Sequence, residues 1–422
     1  MSMPQQLTFI HAADIHFGAS FRGLRALSES WAKRMVSSVP ESYDIVIDAA
    51  INNEVDFIVI AGDIFDSSRA SYADYLHFFD GLKKLNAHSI PAYLVTGNHD
   101  PFTSWQHDFF NFPPNTVMFP ADKPGFVVFE KEGKPAALIA GRGYYSQAWP
   151  HDEDISEGIS RETAIQHTGV DAPFAVSVLH TGLNLDPEKA PTDANDLMRR
   201  GMDYWALGHI HIKYAIPAEN PQIVFSGCIQ GRDIMETGER GIFKVTLTKG
   251  APNQIEFIPT ASVVWQKMDV DISQCGSLGD VVDKIISELF HENSKSHCEE
   301  MVARITLIGM TDLHKVLGKP GVIEGMRKSI NDSYPVFFCD SLTDKTMRPH
   351  ERETLKKEGL FPAVFLQAAD SFSLHPDDEV AYLQDEFLKR NQVLSRKCEK
   401  KIEELSKEAE NLVLDLLDKG DE

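Results

Sequence analysis

The sequence predicts an α/β domain of two sheets flanked by helices, followed by a small α+β domain and a helical tail. Three observations carry this. Short apolar runs alternate with helical stretches through the first hundred residues, the pattern of parallel β–α–β pairing. Helical signal then thins between about 126 and 259 while apolar strand runs continue, which calls for a second sheet instead of one doubly wound sheet. Near 260–265 the pattern changes again, to strands at 264–270 and 301–308 with an amphipathic helix at 278–289 between them.

In order, strands are expected at 7–12, 56–60 and 91–96, and helices at 42–52 and 72–85. Further strands are expected at 136–139, 175–179, 204–207 and 223–226, and a helix within 320–331. These readings place one domain at 1–260, a second at 261–370 and a tail at 371–422. Within the tail, Asp377, Asp378 and Glu379 suit the first turn of a helix running to about 388. Ile402, Leu405, Ala409, Leu412, Val413 and Leu416 recur at helical spacing in a charged background. That apolar stripe suits a helix packed on its own domain or an arm docked on another chain.

With 422 residues, 42% hydrophobic and 25% charged, the chain reads as globular and multidomain. The first residues lack a basic-then-apolar leader, and no apolar run approaches the ~20 residues of a membrane span. Five scattered cysteines without a CxxC argue against a disulfide framework or a structural zinc site, so a cytoplasmic location is expected. The net charge of −22 is the main objection to a nucleic-acid substrate. It is a partial objection, because net charge says little about one local face and bound cations offset part of it.

Five short motifs each follow a predicted strand: Asp14-Ile15-His16, Gly62-Asp63-Ile64-Phe65-Asp66, Gly97-Asn98-His99-Asp100, His180, and Gly208-His209-Ile210-His211. In extended backbone, residues i and i+2 point to one side, so Asp14 with His16, and His209 with His211, can each aim two ligands at one point. Gly62, Gly97 and Gly208 each precede a polar residue, where a sharp turn or a close backbone approach is useful. Carboxylate, imidazole and amide donors without thiolate suit Mn²⁺, Fe²⁺ or Zn²⁺ better than an all-oxygen Mg²⁺ or Ca²⁺ site. Taken singly, each motif has an ordinary explanation, such as a Gly-Asn turn or a core histidine. Five in this order, each abutting a strand, point to a metal centre.

The motif order over 7–226 resembles the calcineurin-like metallophosphoesterase family. The stretches Phe9-Ile10-His11-Ala12-Ala13-Asp14 and Ala61-Gly62-Asp63-Ile64-Phe65-Asp66 are similar to its branch of bacterial SbcD- and YhaO-type nuclease subunits. Phe21-Arg22-Gly23-Leu24 and the compact length are more like the YhaO type. The resemblance implies that Asp14, His16 and His211 hold one divalent ion, Mn²⁺ first among the candidates, and that Asn98, His180 and His209 hold another. Asp63 would bridge the two. His99 would stand at the scissile phosphate, oriented by Asp100. Some relatives carry a histidine at the position of Asp66, and its role does not transfer. The activity implied is DNA exo- or endonuclease, with two ions clamping an in-line displacement. A homodimer, an SMC-like ATPase partner on the helical tail and a capping role for the second domain are implied as well.

The same motifs serve enzymes of small phosphodiesters and nucleotides, and a non-catalytic regulatory subunit is the third reading. His11 is expected in the core. Arg22, Arg25, Arg69, Arg142 and Arg232 are candidate phosphate contacts. Tyr144 and Tyr145 are candidates for stacking on a base, with core packing the plainer expectation.

Overall fold

The computed structural model describes residues 6–374 apart from 67, 68, 107, 151, 152, 187, 350, 351 and 358–360, and beyond 374 only 406, 409, 410 and 412–414. The expected helix at 377–388 lies outside the described residues, as do Ile402, Leu405 and Leu416 of the expected stripe.

Two six-stranded sheets form the first part. One orders Gln254–Pro259, Gly241–Thr248, Gln6–Ala12, Phe57–Ala61, Ala92–Val95 and Thr116–Met118. The other orders Gly125–Lys131, Lys134–Arg142, Phe174–His180, Tyr204–Gly208, Ile223–Phe225 and Tyr214–Ile216. This is the mixed α/β, multi-sheet architecture that the sequence predicts.

Period-two alternation explains why the sheets stack. Leu7 and Phe9 point from their strand into an apolar layer shared with Ile139, Val176, Val178 and Ala206 of the second sheet. Ile10 and Ala12 of the same strand point the other way, onto Tyr43, Val46, Phe78 and Leu82 of two covering helices. Strands buried on both faces read as near-continuous apolar runs, as Phe57–Ala61 does.

The helix expected at 42–52 is longer, running Glu29–Asn52 with Pro40 inside it. Pro40 removes a donor and signals a break, which is why the sequence suggests a later start. Ser28 caps the true start by accepting from the Trp31 amide. Ile45 of this helix is exposed, while Val46 and Ile47 are buried.

Packing divides the chain into two compact units. One comprises Met1–Gln266, His291–Ala303 and Val336–Asp340; the other comprises Lys267–Phe290, Arg304–Pro335 and Ser341–Glu422. A third sheet orders Val263–Asp271, Glu300–Ile308 and Phe337–Asp344. The helix Leu278–Asn293 buries Val281, Ile285 and Leu289 at helical spacing, and Val322–Ser333 buries Met326 and Ile330. Among the described residues no helix is long and apolar enough to cross a membrane.

Candidate metal centre

Five strands run parallel to a neighbour and end at the same place. Gln6–Ala12, Phe57–Ala61 and Ala92–Val95 are parallel neighbours in the first sheet. Phe174–His180 and Tyr204–Gly208 are parallel neighbours in the second. Asp14, His16, Asp63 and Asn98 follow the first three, while His180 ends the fourth and His209 and His211 follow the fifth. Carboxyl ends of parallel strands are where loops meet and ligands bind.

The loops are knitted to one another through the backbone. The amides of Asp14, His16 and Phe17 donate to the carbonyls of Gly62, Asp63 and Ile64. Four of the converging residues take the left-handed conformation: Asp14 (φ 51°), His16 (56°), Asp63 (49°) and His209 (98°). That conformation costs a side-chain-bearing residue roughly 1–3 kcal/mol and clusters at functional sites. The three motif glycines are required sterically, Gly208 because a Cβ there would run into the Ala61 carbonyl. A Cβ on Gly62 (φ 82°) would meet His180 Nδ1 at 2.6 Å, and one on Gly97 would run into the Asp63 carboxylate.

Asp63 Oδ2 lies 3.7 Å from His16 Nε2 and 3.4 Å from His180 Nε2. Around His16, His211 Nε2 approaches to 3.3 Å and itself lies 3.6 Å from Asp14 Oδ1. Around His180, Asn98 Oδ1 lies 3.1 Å from Nε2, and the His209 ring crosses edge-on at 5.3 Å. All seven candidate ligands are therefore brought together, in two groups that share Asp63. Asp14, His16 and His211 form one cluster of potential ligands, and Asp14, Asp63 and His180 form another.

The donor set fits divalent cations. Asp14 and Asp63 are almost wholly buried, and buried carboxylates need a counter-charge. Two imidazole nitrogens facing each other at 3.3 Å, without a carboxylate between them, suit a cation that both can ligate.

Three of the imidazoles have their remaining nitrogen occupied. His180 Nδ1 lies 2.9 Å from the Ala61 carbonyl, leaving Nε2 toward Asp63. His211 Nδ1 lies 2.5 Å from Glu236 Oε1, leaving Nε2 toward Asp14. His209 Nε2 lies 3.1 Å from Asp186 Oδ2, leaving Nδ1. Such carboxylate and carbonyl partners fix ligand tautomers in metal sites.

Charge follows from this packing. Burial and the Arg232 guanidinium hold His16 well below the ordinary imidazole range. Burial also depresses His180 and His211, but Asp63 beside the first and Asp14 beside the second more than reverse it, to about 9. Burial raises the Asp63 carboxyl, but His180 outweighs it and keeps the group far below the usual carboxylate range.

His99 differs from the seven. Its side chain is 42% exposed at the rim, 5.0 Å edge-on from the His16 ring. Its amide donates to Asp63 Oδ1 at 2.8 Å. The expectation that Asp100 orients the His99 ring is corrected here. The buried Asp100 carboxylate accepts the amides of Gly97 (2.7 Å), Asp63 (3.1 Å), Ile64 (2.9 Å) and Phe65 (3.3 Å), and so ties two motif loops together. The carboxylate facing the imidazole is Asp66, with Oδ1 3.8 Å from Nδ1.

Other candidates separate cleanly. His11 is fully buried beside the Tyr204 hydroxyl, 3.0 Å away, as a core residue should be. Tyr144 is buried against Trp149 and His180, while Tyr145 is exposed and stacks on Phe102. Arg142 lies over the Trp149 ring. Arg232 braces Glu236 at 3.3 Å beside His211. Nothing is described of the Arg22 side chain. Asp186 and Glu236 escape sequence reasoning, because each lies more than 20 residues from the histidine it holds and abuts no strand motif.

A profile of the calcineurin-like phosphoesterase family matches residues 7–213, and one described as the middle domain of metallophosphoesterase YhaO matches residues 265–346. The chain is 35% identical to the uncharacterized metallophosphoesterase YhaO of Bacillus subtilis (strain 168) over 281 residues. That match spans 65% of this chain and 66% of the relative's length. The crystal structure of TT1561 of Thermus thermophilus aligns with 60% of this chain and 99% of its own, at 14% identity and TM-score 0.36, a likeness too slight to carry an argument.

Proposed function

Residues 7–213 match the calcineurin-like phosphoesterase family, and from that premise we propose that the chain hydrolyses phosphodiester bonds with two divalent metal ions, Mn²⁺ foremost, and that DNA is its substrate. The proposal includes a nuclease role in DNA repair with an SMC-like ATPase as partner, and a homodimer. The observation that carries the chemistry is Asp63 Oδ2, shared between a group containing Asp14, His16 and His211 and a group containing Asn98, His180 and His209.

When bound, two divalent ions supply the positive charge that stabilises a phosphoryl transition state and activates water. The residues do the rest. Asp63 separates and joins the two ligand groups, and its Oδ1 anchors the His99 amide at 2.8 Å. His99, with Asp66 on the Nδ1 side of its ring, would protonate or stabilise the departing oxygen. Exposure of that ring suits a group that meets substrate from solvent.

A second reading, hydrolysis of a small phosphodiester or nucleotide, is favoured by the net charge of −22. Purified protein with MnCl₂, labelled linear single- and double-stranded DNA and bis-p-nitrophenyl phosphate in parallel separates the two. DNA loss that disappears in His99→Ala supports the nuclease. Cleavage of the small diester with DNA intact selects the second reading. Failure to cleave either one overturns the phosphodiesterase proposal.

A further inference from the structure

A cleft of about 590 Å³ opens in the unit that carries the metal centre. Its floor includes Gly18, two residues beyond His16, and Arg69, whose guanidinium is 2.9 Å from Asp66, the carboxylate facing His99. The cleft is therefore tied to the proposed site of hydrolysis through the His16 loop and the Asp66–Arg69 ion pair. Its size falls within the range that holds one small organic ligand.

The lining has two chemistries. Phe21, Val36 and Val39 present an apolar wall. Arg25, Lys33 and Arg69 present three cations, beside the carboxylates of Glu29 and Asp74, in a chain whose overall charge is −22. Lys33 and Arg69 are each paired with one neighbouring carboxylate, Glu29 and Asp66. Arg25 is exposed and forms no ion pair among the described residues. An unpaired guanidinium on an acidic molecule offers an anion a local point of attraction. An apolar wall beside it suits a planar base.

We propose that this cleft binds one nucleotide unit of the substrate, the neighbour of the scissile phosphodiester. Its base lies on Phe21, Val36 and Val39, and its own phosphate meets Arg25 and Lys33. The proposal rests on the phosphodiesterase reading for the identity of the ligand, and it specifies what distinguishes substrates at that site.

The test is equilibrium binding of thymidine 3′,5′-bisphosphate to the full-length protein, once in EDTA and once in MnCl₂. This probe carries a base and two phosphates and has no diester to cleave. Arg25→Glu and Lys33→Glu are each expected to weaken binding about tenfold in both buffers. Val36→Ser is expected to weaken the bisphosphate about tenfold and leave its abasic analogue unchanged. Because Arg25, Lys33 and Val36 are exposed, the variants keep the wild-type circular dichroism spectrum. Parallel titration with oligothymidylate separates the sources: a free nucleotide if it binds no tighter, a polynucleotide if it binds tighter with the same dependence on Arg25.

The proposal is overturned if the three variants change affinity less than twofold, or if EDTA abolishes binding. It is also overturned if Val36→Ser dissociates a dimer while nucleotide affinity stays unchanged, which assigns the face to a second copy of the chain. Binding in EDTA needs no turnover. A protein that cleaves no diester but binds the nucleotide through Arg25 therefore fails the earlier proposal and keeps this one.

Discussion

Asp63 and His99 divide the work of the candidate site between burial and exposure. Asp63 is sealed among histidines, while His99 reaches solvent from the same loop cluster. His99→Ala is therefore expected to lower kcat on bis-p-nitrophenyl phosphate by about 10²–10⁴-fold. Metal content and thermal midpoint should stay at wild-type values, checked by elemental analysis and differential scanning fluorimetry. Loss of bound metal in that variant would contradict the separation. Asp100→Asn tests the opposite role. Burial and the neighbouring Asp63 push the Asp100 carboxyl up to about 8, against the pull of the Gly97 and Ile64 amides. An asparagine there turns an NH₂ toward amide donors, so urea unfolding should show a loss of about 3 kcal/mol. A loss below about 1 kcal/mol would mean that the four amides find other partners.

At the scale of elements, helix starts and side-chain braces hold the loops in place. The helix Tyr72–Ala87 begins in a reciprocal capping box, with Ser71 accepting from the Asp74 amide and Asp74 accepting from the Ser71 amide. Ser71→Ala is expected to cost about 1 kcal/mol of stability, measured by denaturant titration. The segment between Tyr214–Ile216 and Gly241–Thr248 supplies Glu236, which holds His211 at 2.5 Å. Glu236→Gln should weaken Mn²⁺ binding by about 10–100-fold, read by calorimetry, while His99-dependent chemistry persists at saturating metal. An unchanged affinity would remove Glu236 from the metal centre.

For the whole molecule, protons and metal ions compete for the same histidines. In the metal-free protein His180 and His211 titrate near 9, above the ordinary imidazole value of 6.5. Their contribution to stability is fully present below pH 6.5 and is lost as the pH rises through 9. A divalent ion must displace those protons, so its affinity rises over the same interval, by up to about tenfold per pH unit for each proton released. The thermal midpoint in EDTA should thus fall between pH 6.5 and 9, while the increment added by MnCl₂ should grow. Parallel curves in the two buffers would show that these histidines do not hold the metal. At any pH in this window, chelation should lower the midpoint by the linkage between folding and binding.

Local chemistry made part of this molecule legible in its sequence. Runs such as Phe57–Ala61 are apolar on both faces, so they announce buried strands, and a glycine beside a polar residue announces a tight turn. The seven candidate ligands were legible for the same reason, since each lies within two residues of a strand end or in a turn after one. Pro40 obscured the first half of its helix, because local propensity there opposes the tertiary packing that overrides it. Tertiary structure alone decided which carboxylate faces His99, that Asp100 serves backbone amides, and that Asp186 and Glu236 reach histidines 23 and 25 residues away. It also decided that Arg25, Lys33 and Arg69, scattered along the chain, line one cleft. The physical reason is range. Periodicity and turn chemistry act over a few residues and leave their mark in the order of the sequence, whereas hydrogen-bond partners and clefts depend on loops that meet only after two sheets have packed.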